Sequence, residues 1–211
     1  MEQEARFVPV GNPELREAGD GGGMPTIVGY IAPYNQWSPV YGGKRWGWRE
    51  KIDPDFFESV MADDAVSLFN HDPNYALGRA SAGNNKLERQ EYGLWSETTP
   101  PDTNIIRELV IAPIRMGIIK GASFAFTLPD DDTGDDWKVG PDGIMERVLL
   151  KAERLYDTSP AVTQPWYPQT TAGIKDRATR SLSKREAESV GRVDQRDLLR
   201  LQNAILRLRA A

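Results

Sequence analysis

The sequence predicts an α+β fold, mainly β, that ends in a helical C-terminal tail. Three observations carry this. Short runs rich in β-branched and aromatic residues recur between Phe7 and Thr158, divided by Gly, Pro, Asp and Asn clusters, enough for six or seven strands. Helix-start chemistry precedes the tail at only two clear places, Asp53-Pro54 and Thr103-Asn104. Leu198, Leu201, Ile205 and Leu208 then repeat at 3-4-3 spacing, an apolar stripe on a basic helix.

Composition supports a real core and limits the chemistry. With 39% apolar residues, six Trp, seven Tyr and six Phe in 211 residues, wholesale disorder is excluded. No apolar run approaches the ~20 residues of a membrane span, and the N-terminus has no secretion pattern. Absence of cysteine removes disulfides, thiolate metal sites and a cysteine nucleophile together. The expectation is therefore no cofactor, no metal and no membrane. Net charge −5 divides unevenly: residues 173–211 hold ten Lys/Arg against five Asp/Glu, the first 172 hold 16 against 26. We expect two units, residues 1–172 and a basic helical tail at 173–211, the charge asymmetry marking an interaction segment rather than a specific nucleic-acid site.

In chain order, Phe7–Val10 reads as an edge strand and Gly19–Gly23 as a loop. Thr26–Ala32 is a strand stopped by Pro33, and Tyr34–Glu50 a long loop or hairpin packed by its aromatics. Asp53 as N-cap with Pro54 at the first position opens a helix through Phe56, Phe57, Val60 and Met61. Ala65–Asn70 is a strand delivering His71, with a turn at Asp72-Pro73-Asn74. Two strands follow, around Leu77–Ala80 and Leu87–Trp95. A helix over Asn104–Ala112, with Ile105, Leu109 and Ala112 on one side, is kinked or restarted by Pro113 and ended by Gly117. Asp130–Asp136 reads as a solvated hairpin loop, since a calcium loop counted from Asp130 needs Glu at its twelfth position, where Pro141 stands. Glu146–Thr158 is extended, with Glu153, Leu155 and Asp157 on one face, and a proline-punctuated exit leads to the tail. There, Ser183 and Glu186 form a capping box, and the helix breaks near Gly191.

The strand within Gly117–Leu128 organises the chain. Ala122, Phe124, Phe126 and Leu128 lie on one face, suited to a core, and Gly121, Ser123, Ala125 and Thr127 on the other. Small neighbours leave room above Ser123 for a second side chain and a substrate. A serine hydroxyl needs a base to take its proton, and His71 is the only histidine in the chain. A Ser-His mechanism thus has one possible base, although spacing alone does not bring residues 71 and 123 together.

Four ordered pieces resemble the prohead (capsid maturation) proteases of tailed bacteriophages: Gly29–Asn35 with Trp48–Pro54, Leu68–Asp72, Gly121–Phe126 and Leu155–Ala161. The resemblance implies His71 as base and Ser123 as nucleophile. Asp157, at the family's acidic position before a serine in the last core strand, is implied as the orienting carboxylate. Glu153 stays an alternative on the same predicted face, and Asp72 is a weaker one. The resemblance also implies a bent antiparallel β-barrel like herpesvirus assemblin. For function it implies a serine endopeptidase acting in the host cytoplasm and inside the immature capsid on scaffold or major capsid protein. A homo-oligomer, such as a dimer, is expected. An oxyanion donor is required, with Arg147 and backbone amides of a glycine-containing loop both open. The competing classes are a non-enzymatic, scaffold-binding assembly factor and an unrelated esterase. The apolar stripe of the tail has no evident partner within the chain, so we expect it to recruit scaffold or another copy and to be removed by self-cleavage near Thr170–Ser183.

Overall fold

The computed structural model describes residues 3–8, 13–19, 22–41, 47–163, 172–189 and 195–209. In chain order its strands are β1 (Glu4–Val8), β2 (Glu14–Arg16), β3 (Thr26–Pro33), β4 (Trp48–Ile52), β5 (Val66–Phe69), β6 (Asp72–Arg79), β7 (Asn85–Arg89), β8 (Gly93–Thr98), β9 (Gly121–Thr127), β10 (Asp135–Val139), β11 (Met145–Leu149) and β12 (Arg154–Val162). They form three sheets, ordered β1-β9-β12-β5-β6, β2-β3-β8-β7 and β10-β11-β4. The mainly-β α+β expectation holds, but the barrel does not: no sheet closes, and β12·β5 and β11·β4 pair in parallel. Parallel partners need long crossovers rather than hairpins, which splits the strands among separate sheets.

The first core joins all three sheets, Ile52 of β4 and Leu149 of β11 coming from the three-stranded one. Ala122, Phe124 and Phe126 of β9 and Leu155 of β12 pack with Ile31 and Ala32 of β3 and with Phe56 and Phe57. Phe56 and Phe57 do not lie on the expected helix. Residues after Asp53 form turns and a short 3-10 helix at Glu58–Val60, because the Asp53 carboxylate accepts from the Asp55 amide at 3.0 Å, two residues on, as in an Asx turn.

The second core gathers Ile27, Phe69, Leu77, Ile119 and Ala161 around a composite helix: α1 (Asn104–Ile106), a π-helical turn (Arg107–Ile111) and α2 (Ala112–Arg115). Pro113 has no amide to donate, and the wider turn before it absorbs that break. The face turned inward carries Ile106, Val110 and Ile114, and Ile105 points outward, against expectation. Gly117 ends the helix at φ 68°, as expected of a glycine at that position.

The tail is docked. Helices α3 (Ala172–Ser189) and α4 (Gln195–Arg209) place Ala178, Leu182, Ile205 and Leu208 on Trp48, Trp137 and Met145 of the three-stranded sheet. Burying a Leu or Ile side chain contributes about 2 kcal/mol, so the stripe has its partner inside the chain. Ser183 lies within α3 and caps nothing; the break near Gly191 lies outside the described residues. The acidic run is not simply solvated either. Asp135 pairs with Arg177 of α3 at 3.1 Å, Asp136 with Arg185, and Asp132 with Arg180 at 3.5 Å. Basic tail and acidic loop are partners.

Beneath this contact two buried arginines meet three buried carboxylates. Arg147 donates to Glu4 through both terminal nitrogens, at 2.7 and 2.9 Å, to Asp135 at 2.8 Å and to Glu50 at 3.3 Å. Arg6 donates to Glu4 and Glu50. Burial by itself pushes the Glu4 carboxyl up, but the attraction of Arg147 and Arg6 holds it down at about 2. Its stabilisation is therefore complete above its ordinary value of 4.5 and is lost as pH falls through 2, on the order of 3 kcal/mol. We expect Glu4→Gln to lower Tm at neutral pH, with the gap to wild type shrinking between pH 4.5 and 2. A gap that is constant across that window would refute the assignment.

Candidate active site

Ser123 stands in the middle of β9, on the face opposite Phe124 and Phe126. β9 lies between β1 and β12, so its backbone is paired on both edges and the Cα position of Ser123 is fixed, opposite Phe7 on one side and Ser159 on the other.

His71 is held by a tight hairpin. β5 and β6 pair through Phe69 and Asp72, which leaves Asn70 and His71 as a two-residue loop with φ 53° and 58°. Left-handed backbone at both central residues is the type I′ turn, which matches strand twist and favours Asn first and Gly second. Here His occupies the glycine position, at a cost of about 1 kcal/mol. The turn thus contains His71 instead of following it. Asp72-Pro73-Asn74 opens β6, an edge strand where a proline is tolerated.

Asp157 reaches the site through a β-bulge. On β12, Leu155 opposes Phe126 and Asp157 opposes Ala125, so Tyr156 is the extra residue. Strict alternation would put Leu155 and Asp157 on one face, as the sequence led us to expect. The bulge shifts the phase by one: Leu155 enters the core and Asp157 joins the face of Ser123 and Ala125. Glu153 precedes the strand, is exposed, and contributes only its amide, to Thr127. Asp72 accepts from the amide and side chain of Asn74 and does not approach the imidazole.

Ser123 of β9 and Asp157 of β12 therefore converge on the ring of the loop residue His71. His71 Nε2 lies 2.5 Å from Ser123 Oγ, and Nδ1 lies 2.5 Å from Asp157 Oδ1. Ser123 is only 2% exposed, while the His71 side chain keeps 18% of its surface in solvent, so solvent reaches the group chiefly past the imidazole. The Ser123 hydroxyl also lies 2.7 Å from the Arg6 carbonyl oxygen of β1. One proton thus faces two acceptors, and only the path toward His71 activates the oxygen. Arg147, one of the two oxyanion options, is fully buried in its charge cluster and turned to three carboxylates, so it does not serve here.

Among the described residues, no group of three or more His, Cys, Asp or Glu is placed to hold a metal. Sequence reasoning missed the Arg6 carbonyl and the two residues that steady the loop, Asn70 and Ser159. Asn70 accepts from the Thr163 amide at 2.9 Å, and Ser159 Oγ accepts from the His71 amide at 3.0 Å. An Asn between two alternating runs is a hairpin signal, but the missing glycine after it weakened that signal.

No curated protein and no solved structure matches the chain. A family model described as caudovirus prohead serine protease matches residues 13–185, a span that includes both strands and the loop carrying His71, Ser123 and Asp157. With that match covering most of its length, the chain belongs to the caudovirus prohead serine protease family.

Proposed function

We propose that Ser123, His71 and Asp157 are the nucleophile, base and orienting acid of a serine endopeptidase that matures the capsid. The observation that carries this reading is the unbroken path from Ser123 Oγ through both ring nitrogens to Asp157, each contact 2.5 Å. Asp157 accepts from Nδ1–H, which leaves Nε2 free to accept. Ser123 Oγ then attacks the substrate carbonyl carbon as its proton passes to Nε2, and the imidazolium gains the Asp157 carboxylate as counter-ion. Nε2 returns that proton to the leaving amine as the C–N bond breaks. Water, deprotonated by the same nitrogen, hydrolyses the acyl-enzyme and restores Ser123.

The substrate in this proposal is scaffold protein, or the scaffolding segment of the major capsid protein, cut inside the immature capsid after assembly in the host cytoplasm. Among the described residues, no helix is long and apolar enough to cross a membrane. Kinship with herpesvirus assemblin is proposed only at the level of a Ser-bearing strand and a His-bearing hairpin sharing one sheet. Homo-oligomerisation and a functional division at residues 172/173 belong to the same proposal, as does self-cleavage. Proteases take extended chain, and α3 is helical from Ala172, so a cut near Thr170–Ser183 requires its first turns to unwind or must fall ahead of them.

Mass spectrometry of wild type and Ser123→Ala, each co-expressed with its cognate capsid and scaffold proteins, tests the proposal. Trimmed capsid or scaffold chains are expected with wild type alone. Identical intact masses in both, within assembled shells, would instead favour a non-enzymatic assembly factor.

A further inference from the structure

β12 supplies more to the His71 loop than Asp157. Asn70 donates its amide to the Ala161 carbonyl at 3.3 Å, and its side-chain oxygen accepts from the Thr163 amide at 2.9 Å and the Thr163 hydroxyl at 3.3 Å. The His71 amide donates to Ser159 Oγ at 3.0 Å. Both loop residues are thus tied to the strand that carries Asp157, through residues 157, 159 and 161, and to Thr163 just beyond its end. Pro160 falls within the irregular stretch of that strand, where the pairing to β9 and β5 shifts register, so its missing amide costs no regular ladder bond.

The tie at Ser159 has a particular consequence. The two central amides of a two-residue hairpin loop lie outside the strand ladder, so the His71 amide has no regular backbone acceptor. His71 also has a left-handed backbone without being glycine, so other loop conformations compete with the observed one. A shift of about 1 Å in a reacting group costs on the order of 100-fold in rate. Ser159 is 0% exposed and sits directly across the β9–β12 pair from Ser123, so the strand position that opposes the nucleophile also fixes the backbone of its base.

We infer that Ser159 is a positioning residue for His71: its hydroxyl pins the His71 amide so that the imidazole spans Ser123 and Asp157. The inference rests on the Ser-His-Asp reading proposed above. As His71 is the only histidine, its imidazole proton resonances are unambiguous in an NMR spectrum. A fluorophosphonate probe, which loses fluoride on attack by an activated serine, reports the nucleophile without knowledge of the natural cleavage site.

In Ser159→Ala we expect the limiting rate of Ser123 labelling to fall by about 10- to 100-fold, with the probe's half-saturating concentration within about twofold of wild type. The downfield His71 Nδ1–H resonance should disappear, whereas Ser123→Ala keeps it. A purely structural role would lower labelling only in proportion to the folded fraction, leaving rate and resonance normal in the molecules that remain folded. That result overturns the inference, as does wild-type labelling with an intact resonance. Should Ser159→Ala not fold, Ser159→Cys, similar in volume but a weak acceptor, carries the same measurements. Failure of the underlying reading looks different: Ser123 would then be labelled as fast in His71→Ala as in wild type. The resonance in the Ser159 variants still decides the tether in that case.

Discussion

Ser123→Ala and His71→Ala are each expected to lower cleavage of capsid or scaffold protein by ~10⁴-fold or more, and the double variant to be little worse than either. In the proposed mechanism the two groups act in one step: without the imidazole the hydroxyl keeps its proton, and without the hydroxyl the imidazole has nothing to activate. Losses therefore do not add. Folding should survive, but for different reasons at the two sites. Ser123→Ala removes one oxygen from β9 and leaves all its backbone pairing in place. His71→Ala keeps a left-handed non-glycine residue at φ 58° and retains that strain, whereas His71→Gly relieves it. His71→Gly should thus be as inactive as His71→Ala yet more stable, by about 1 kcal/mol. Thermal unfolding read beside cleavage separates the two effects. Cleavage by Ser123→Ala at the wild-type rate would end the serine-protease mechanism for this site.

How much of this was legible in the sequence depended on whether the information was local. The faces of β9 were, because strand alternation is a property of consecutive residues: Phe124 and Phe126 are in the core and Ser123 is opposite, as alternation requires. The singularity of His71 and the helix stop at Gly117 were legible for the same reason. What failed was pairing. Asp157 shares its face with Ser123 only because one residue, Tyr156, is looped out against β9, and no pattern within 153–157 announces a bulge whose cause is the facing strand. The basic tail and the acidic loop were each conspicuous, yet their union spans 42 residues from Asp135 to Arg177 and 49 from Asp136 to Arg185, beyond any local rule. The apolar stripe of α4 was correctly expected to need cover. Its cover is Trp48, Trp137 and Met145, of which the sequence reading placed only Trp48, in a long loop or hairpin. Sheets assembled from distant and partly parallel strands hide such contacts from sequence reasoning.

The bulge at Tyr156 makes the orienting acid a sharp test. Asp157→Asn should fold normally and lose ~10⁴-fold in turnover, while Glu153→Gln should stay within about twofold of wild type. A carboxylate on Nδ1 accepts a hydrogen bond from Nδ1–H and holds the tautomer in which Nε2 is a bare acceptor. An amide is nearly the same size, but turns an N–H toward Nδ1 in its favoured pairing; the ring proton then sits on Nε2, which can no longer take the Ser123 proton. The loss therefore falls on kcat, with KM nearly unchanged, because substrate contacts are untouched. Glu153 makes no comparable contact: it is exposed, ahead of the strand, and tied to Thr127 only through its amide. A second pair of variants tests the bulge itself. Deleting Tyr156 would make Leu155 and Asp157 direct neighbours, still opposite Phe126 and Ala125 and therefore still on opposite faces, so Asp157 should keep its contact with the imidazole and activity should survive loss of the bulge. Tyr156→Ala keeps the chain length and hence the bulge, and should retain activity. If Asp157→Asn turns over like wild type while Glu153→Gln is crippled, the strand is phased by simple alternation in the working enzyme, and the orienting acid is Glu153.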